Sequence, residues 1–294
     1  KYESEKTLAE LPNYIVEKAK YTYENRIARI SISSSDPDGM KGVDFNKLKI
    51  TRKASACLNK YLSDPYMASL VQWCVVAIPN KAWAKKVFPH LSAAKAVEAL
   101  WDAILKANHV TKDNDPVKEW QEHDDNLHAR ANLLNKYNFK ELRYKSANGT
   151  DFTVGLVEKH IWAGGSEGNV DDIPEFNPNM PTEEIFTMPH KDKVNGKVVS
   201  TKPLSYQGNL IENFYLIFKD GEVIEAKAEK GQEALDSLLS TDEGARRLGE
   251  VALVPYHSPI SESNILFYNT LFDENASCHL ALGNAYTMNI EGGV

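Results

Sequence analysis

Residues 75–87 read Val-Val-Ala-Ile-Pro-Asn-Lys-Ala-Trp-Ala-Lys-Lys-Val. The apolar run Val75 to Ile78 is typical of a buried parallel strand, and Pro79-Asn80 predicts a turn directly after it. A helix is then expected over residues 81–87. Because a buried strand, a short turn and a helix in succession are typical of α/β proteins, this stretch predicts an α/β fold for the first part of the chain.

Two longer helices are predicted on its C-terminal side. Ser92 is the expected N-cap of a helix over about 93–105, where apolar residues recur at helical spacing. Asp115-Pro116 predicts the start of another helix, since proline is favoured at the first helical position. These elements together predict an α/β N-terminal domain over residues 1–136.

The periodicity changes from about residue 137 onward. Leu142 and Tyr144 alternate with polar residues, and Asn148-Gly149 predicts a hairpin turn. Asn195-Gly196 and Asp220-Gly221 carry the same hairpin signal. A β-rich, α+β second domain is therefore expected over residues 137–294.

Composition limits the classes of function. The chain has 294 residues, of which 42% are hydrophobic and 26% charged, as in globular proteins. The net charge of −7 and the lack of a basic run argue against nucleic acid as a partner. The longest apolar run, residues 67–78, is shorter than the about 20 residues that cross a bilayer, so no membrane association is expected.

The N-terminal residues Lys1 to Lys6 contain no apolar core of a secretory signal. Only three cysteines occur, Cys57, Cys74 and Cys278, and they form no CxxC pair. This sparse, odd set suits a reducing compartment better than a disulfide scaffold, so a cytoplasmic location is predicted.

Three short segments in the last 120 residues place potential metal ligands among apolar or small neighbours. They contain the pair Glu183 and Glu184, then Glu250, and then Asp273, Glu274 and His279. Acidic and imidazole groups in such surroundings need a cationic partner to compensate for burial. Carboxylate oxygens with an imidazole nitrogen suit Zn, Co or Mn and are typical of sites that share two cations. We therefore predict a carboxylate-rich metal site.

Each of these residues also has a structural interpretation. Thr182 with two acidic residues behind it is a common helix start, and Glu250 has Arg246 and Arg247 nearby as ion-pair partners. A single histidine such as His279 is often a hydrogen-bonded core residue. Asp273 and Glu274 also fit a turn. If a strand follows Glu184, the two adjacent glutamates point to opposite faces, so only one can enter a given site.

Two other patterns are weaker. His123-Asp124-Asp125 and His190-Lys191-Asp192 have the His-x-Asp spacing of metal ligands, but both lie in polar stretches that favour a solvated surface. Residues 164–168 are glycine-rich but lack the lysine of a P-loop, so a plain loop is expected.

At the same segments the chain resembles the metalloaminopeptidases of the aminopeptidase T, aminopeptidase S and PepS group, with PepS-like enzymes of Gram-positive bacteria the nearest in appearance. The resemblance extends over nearly the whole chain and is most specific in residues 179–187, 200–204, 241–253, 258–260 and 269–279. It implies a cytoplasmic homodimer that releases N-terminal amino acids from peptides. Two divalent ions (Zn, Co, Mn or Mg) would activate the attacking water.

The resemblance also implies roles for individual residues. Glu184, Glu250 and His279 match metal ligands, with Glu250 as the bridge, and Glu274 is a candidate further ligand. Tyr286 matches a tyrosine whose phenol hydrogen-bonds the developing oxyanion. Glu183 is the candidate residue for proton transfer to the leaving amine. It is also the alternative metal ligand if Glu184 is the wrong member of the pair.

One feature departs from the family pattern. In the family that the chain resembles, a closing His-x-Asp pair supplies two more metal ligands. The two His-x-Asp patterns of this sequence, at His123 and His190, do not match that pair in context. The expectation is that both predicted domains are incomplete, the first at its start and the second at its end. The alternative function is thus a catalytically inactive fragment that retains only peptide binding or dimerisation. A cysteine hydrolase built on Cys278 and His279 is disfavoured, because adjacent strand residues face opposite sides.

Overall fold

The computed structural model describes residues 2–168 and 173–293. Within these ranges the α-helices are α1 (Glu5–Ala9), α2 (Asn13–Glu24), α3 (Phe45–Ser55), α4 (Ser63–Met67), α5 (Lys81–Val87), α6 (Ala93–Ala107), α7 (Pro116–Tyr137), α8 (Gln232–Leu239), α9 (Pro259–Ser263) and α10 (Thr270–Asp273). The strands are β1 (Arg29–Ser33), β2 (Trp73–Ala77), β3 (Glu141–Lys145), β4 (Asp151–Leu156), β5 (Ile185–Thr187), β6 (Pro189–Val199), β7 (Leu204–Tyr206), β8 (Asn209–Lys219), β9 (Glu222–Lys230), β10 (Leu248–Leu253) and β11 (His279–Leu282). Short 3-10 turns cover Ala56–Tyr61, Gly244–Arg246, Glu274–Ala276 and Thr287–Asn289.

The N-terminal part is α/β, as predicted. Strands β1 and β2 pair in parallel, and α5 follows β2 after the Pro79-Asn80 turn. The predicted helix starts are also confirmed. Ser92 caps α6 by accepting a hydrogen bond from the backbone N–H of Lys95, and Asp115 caps α7 with proline at its first position.

A hydrophobic core lies between β2, α5 and α6. It includes Trp83 and Leu100, and several of its other members come from far along the chain, among them Phe267 and Phe272. The indole N–H of Trp83 donates to the carbonyl of Phe267 at 2.5 Å. Residues 260–276 therefore pack against helices α5 and α6.

A second core lies under a six-stranded antiparallel sheet. The sheet has the order β3-β4-β6-β8-β7, with β9 also paired to β8. Leu127 and Ala131 of α7 pack against its buried face together with residues of α8. The β-rich, α+β character expected for the second half is confirmed.

One predicted hairpin is wrong. Asn195-Gly196 lies inside the long strand β6, where Gly196 pairs with Phe152 on one side and Phe218 on the other. Gly196 has a φ of +105°, and a Cβ at this position would lie 2.2 Å from the carbonyl oxygen of Asp151. Glycine is therefore needed here for a close approach between strands and not for a turn. The other two hairpin signals are confirmed.

A small third sheet carries the predicted ligands. It is antiparallel, in the order β11-β10-β5. The segment before β5 is hydrogen-bonded to β2. The backbone N–H of Val75 donates to the carbonyl of Pro178, and the N–H of Met180 donates to the carbonyl of Val75. The edge of the α/β sheet therefore helps to position the Glu183-Glu184 pair beside the small sheet.

No described helix combines the length and apolarity that crossing a bilayer requires.

Candidate metal centre

Glu184, Glu250 and His279 meet on the small sheet. Glu184 directly precedes β5, Glu250 lies in β10, and His279 begins β11. The Nε2 atom of His279 is 2.7 Å from Oε2 of Glu184 and 3.7 Å from Oε1 of Glu250. One donor atom from each residue lies within 4.8 Å of the other two. The structure therefore brings together the three residues that the sequence predicted as ligands.

The position of Glu250 depends on an irregularity in its strand. The pairing of β10 with β11 shifts register between Leu248 and Glu250, as in a β-bulge. Gly249 occupies the bulge, and a Cβ there would lie 2.0 Å from the carbonyl oxygen of Asn284. Only glycine permits this approach of the two chains, so Gly249 sets the direction of the neighbouring Glu250 side chain.

The contact between His279 and Glu184 is short but is not a well-formed hydrogen bond. Among the described residues, Nε2 of His279 and Oε2 of Glu184 are both buried and both lack a hydrogen-bond partner, despite their 2.7 Å separation. Their lone pairs and the Glu250 carboxylate converge on one point instead. Two carboxylate oxygens and one imidazole nitrogen are a donor set that fits a divalent ion such as zinc, cobalt or manganese.

The other ring nitrogen of His279 is also engaged. Nδ1 lies 3.1 Å from the carbonyl oxygen of Ser277. A backbone carbonyl at this position places the ring proton on Nδ1 and leaves Nε2 as the electron-pair donor, which is the usual arrangement for a metal-binding histidine. The ring is therefore oriented for coordination through Nε2.

The charge distribution favours a cation at this point. Burial lowers the pKa of His279, but the Glu184 and Glu250 carboxylates outweigh it and raise the pKa to about 11, so a divalent ion would have to displace a proton from Nε2. Burial and the charge of Glu184 raise the pKa of Glu274 to about 8. Burial acts in opposite directions on the two groups, but the negative charge of the neighbouring carboxylates raises both pKa values.

A cavity of about 280 Å³ opens onto these residues. Its walls include Glu184, Glu250, Glu274 and Tyr286, together with Glu167. The ring of Tyr286 packs on Phe186, with 5.5 Å between the ring centroids. Burial raises the pKa of Tyr286, and the surrounding carboxylates raise it further, so its phenol stays protonated and can act as a hydrogen-bond donor.

Glu183 points away from this cavity. Its Oε1 atom is 2.8 Å from Nε2 of His109, and its carboxylate is only 3% exposed. The two adjacent glutamates thus serve different surroundings, as expected for residues at the start of a strand. The alternative of a helix start at Thr182 is wrong, since strand β5 follows directly.

Glu183 belongs to a second group of potential ligands with His109 and His123. One donor atom from each lies within 4.8 Å of the others. Here the contacts are hydrogen bonds of ordinary geometry: His109 bonds to Glu183, and Nε2 of His123 is 2.7 Å from the carbonyl oxygen of Thr182. Burial lowers the pKa of His123. Because these atoms already satisfy one another, the Glu184 group is the better candidate for a cation.

Several structural alternatives can now be compared with the contacts. Arg247 bonds to Asp192 and Arg246 to the carbonyl of Val223, so neither arginine is the partner of Glu250. Asp273 does fill a turn role, because it accepts hydrogen bonds from the backbone N–H groups of Phe267 and Asn269.

The expected solvated surface is wrong for His123, which is half-buried beside Trp120. His190 lies in β6, where its Nδ1 accepts a hydrogen bond from the backbone N–H of Asp192.

Asn275 supports the ligands without having been predicted. Its side chain is 1% exposed, and Oδ1 accepts a 2.7 Å hydrogen bond from the backbone N–H of Glu183. It therefore ties the glutamate pair to the segment that ends at His279. The only signal for this role in the sequence was its position directly after the candidate ligand Glu274, and that signal is weak because asparagine is common in turns.

Comparison with known proteins gives one consistent result. The family model described as thermophilic metalloprotease (M29) matches residues 1–294. The chain is 50% identical to aminopeptidase AmpS of Bacillus subtilis (strain 168), over 97% of this chain and 68% of that protein. It is 45% identical to aminopeptidase PepS of Streptococcus thermophilus, over 97% of this chain and 69% of that protein. The solved structure of wild-type AmpT from Thermus thermophilus superposes with a TM-score of 0.90 at 40% identity, covering 99% of this chain and 71% of that chain.

Proposed function

The chain belongs to the thermophilic metalloprotease family M29 and is a metallo-aminopeptidase, and on that basis we propose that it releases N-terminal amino acids from peptides with two divalent ions held beside Glu184, Glu250 and His279. This membership agrees with the resemblance inferred from residues 179–279. The number of ions and the residue roles below are our proposals.

One observation carries the assignment of the site. Oε2 of Glu184 and Nε2 of His279 are buried 2.7 Å apart without hydrogen-bond partners among the described residues, and Glu250 lies beside them. Leaving such atoms unpaired in the interior costs free energy, which a bound cation would recover. These three residues would therefore hold the ions, and Glu250 is the residue that we propose the ions would share.

Divalent ions at this position would lower the pKa of water and polarise the peptide carbonyl. Proton transfer to the leaving amine needs an acidic group within hydrogen-bond reach, and a carboxyl group in the same cavity can serve. Glu274 lines the cavity and Glu183 does not, so we propose Glu274 for this role instead of metal ligation. Glu183, held by His109, is the alternative.

Tyr286 is the proposed donor to the carbonyl oxygen. Its protonated phenol lines the cavity with Glu184 and Glu250. Negative charge develops on that oxygen during attack, and a fixed donor stabilises this charge more than it stabilises the neutral carbonyl. Replacement of Tyr286 by phenylalanine should therefore lower kcat by about 10²- to 10³-fold, as for other oxyanion donors.

The central experiment measures metal content and hydrolysis of a panel of aminoacyl-anilides, before and after chelation and re-addition of cobalt or zinc. We expect near two ions per chain and chelator-sensitive release of the N-terminal residue. Glu250→Gln should lose both properties, whereas Glu262→Gln, an exposed carboxylate paired with His257, should keep them. Metal-free protein without turnover would favour the alternative of an inactive, peptide-binding or dimerising chain.

The variant pair Glu274→Gln and Glu183→Gln separates the two candidates for proton transfer. We expect Glu274→Gln to lower kcat by at least about 10²-fold, the range of general acid–base catalysis. Glu183→Gln should retain most of the turnover. A large loss of kcat with full metal occupancy in Glu183→Gln alone would reverse the assignment.

Homodimerisation and a cytoplasmic location complete the proposal. Both come from the family resemblance, and the sparse cysteines agree with a reducing compartment. Light scattering of the purified protein tests the first, and fractionation of cells tests the second. Zinc, cobalt, manganese and magnesium are all compatible with the donor set. The metal is therefore identified by metal analysis of protein purified without added ions.

A further inference from the structure

The cavity of the candidate metal centre contains a carboxylate that the proposed chemistry does not use. Glu167 lines the same cavity as Glu184, Glu250, Glu274 and Tyr286, but its oxygens do not join the group of converging donor atoms. It also lines a neighbouring cavity of about 560 Å³. Glu167 therefore lies at the border between the catalytic cavity and a larger space.

The structure holds Glu167 firmly in this position. Its backbone N–H donates to the carbonyl of Phe176 at 2.8 Å, and its own carbonyl accepts from the N–H of Phe176 at 2.7 Å. Its Oε2 atom accepts a 2.5 Å hydrogen bond from the hydroxyl of Ser69. Both the backbone and one carboxylate oxygen are thus fixed, and the second carboxylate oxygen is available to another group.

Glu167 has no basic partner of its own. Among the described residues, no lysine, arginine or histidine forms an ion pair with it. Burial raises the pKa of Glu167, although the hydrogen bond from Ser69 opposes this effect. A half-buried carboxylate of this kind is stabilised by a cation that enters the cavity from outside.

We propose that Glu167 binds the α-ammonium group of the substrate, and this inference rests on the proposed aminopeptidase function. In a peptide cleaved at its first bond, the α-nitrogen and the scissile carbonyl carbon are both bonded to one Cα and lie about 2.5 Å apart. The group that recognises the ammonium must therefore border the catalytic cavity, as Glu167 does. A neutral internal amide offers no such charge, so the contact selects peptide ends.

The ammonium carries its charge both before and during the reaction. An interaction that is equal in the ground state and the transition state changes KM and leaves kcat nearly constant. Removing the charge of Glu167 should therefore weaken binding without affecting turnover at saturation. A charge-assisted hydrogen bond of this type corresponds to about 10- to 100-fold in affinity.

The test compares Glu167→Gln with Glu175→Gln. Glu175 accepts a hydrogen bond from the hydroxyl of Ser166 and lines only the larger cavity, so it is a matched control. Calorimetry on the metal-loaded full-length protein measures the dissociation constants of leucinol and N-acetyl-leucinol, in which an alcohol replaces the carbonyl group that an aminopeptidase attacks. KM and kcat for leucyl-anilide and the metal content are measured in parallel.

We expect Glu167→Gln to lose about 10- to 100-fold of the preference for the free amine and to raise KM by a similar factor. Glu175→Gln should keep the preference, and both variants should keep the wild-type metal content. An unchanged preference in Glu167→Gln, or a loss of metal from it, would overturn the inference. Wild-type protein that binds leucinol through Glu167 but hydrolyses no anilide would instead contradict the proposed function.

Discussion

Replacement of Asn275 by alanine should weaken both the fold around the metal centre and the metal site itself. The side chain makes two buried hydrogen bonds, from the backbone N–H of Glu183 to Oδ1 at 2.7 Å and from Nδ2 to the carbonyl of Leu271 at 3.2 Å. Asn275→Ala removes both and leaves the buried N–H of Glu183 without its partner.

The magnitude follows from the burial of these groups. An unpaired buried polar group costs about 1–3 kcal/mol, so two lost partners should cost about 2–6 kcal/mol. At about 2–4 °C per kcal/mol for a chain of this size class, the melting temperature of the metal-free protein should fall by roughly 4–24 °C. Because Glu184 follows Glu183 directly, metal affinity should also fall, by about 10- to 100-fold as for other residues that support ligands.

The assay combines thermal unfolding of the metal-free protein with a metal titration against a competing chelator. Asn126→Ala is the control, since Asn126 accepts a hydrogen bond from Arg130 on the exposed face of α7. We expect that variant to match the wild type in both measurements. A melting temperature within 1 °C of wild type and an affinity within twofold would show that Asn275 does not support the ligands.

Three further predictions concern the bound ion, the contact between His109 and Glu183, and the three cysteines. Chelation should lower the melting temperature, because an ion present at 100 times its dissociation constant contributes about 2.7 kcal/mol; an unchanged melting curve would contradict a bound ion in the folded protein. His109→Ala should destabilise the protein by about 2 kcal/mol, which is less than the cost of breaking a fully buried pair because His109 is 24% exposed. His109→Gln should cost less, since glutamine keeps a hydrogen-bond donor for Glu183. Equal urea midpoints for the two variants would argue against this contact. Iodoacetamide should modify the exposed Cys57 and Cys278 before Cys74, because burial raises the pKa of Cys74 and less of its thiolate is present at pH 7. Activity should survive this labelling. Mass spectrometry measures the labelling and anilide hydrolysis the remaining activity, and inactivation that follows labelling of Cys278 would support the cysteine hydrolase hypothesis.

Local signals in the sequence predicted several of the elements. Ser92, Asp115-Pro116 and Asp220-Gly221 act through hydrogen bonds and dihedral preferences within a few residues, so their effect is readable without the rest of the chain. The failure at Asn195-Gly196 has the opposite cause. There the neighbouring strands β4 and β8 use the glycine for close contact, and no local signal reports those strands.

The candidate ligands were also readable, since their segments place charged groups in apolar surroundings where an unpaired charge is costly, and the family resemblance selected Glu184, Glu250 and His279 among them. Whether they met could not be read, because they approach each other only through the pairing of β5, β10 and β11. The domain boundary near residue 137 remains a prediction, and residues from both sides of it share the core around Trp83.

The amino-acid sequence alone determined the chemistry available at the candidate site: carboxylate oxygens, an imidazole and a tyrosine, in short segments with apolar or small neighbours. The tertiary structure decided which groups act together. It turned Glu183 toward His109, 74 residues away, linked Glu183 to Asn275 across 92 residues, and set Glu167 on Ser69 across 98 residues. Hydrogen bonds and ion pairs act over a few ångströms of space irrespective of separation along the chain, so such partnerships exist only once the chain is folded.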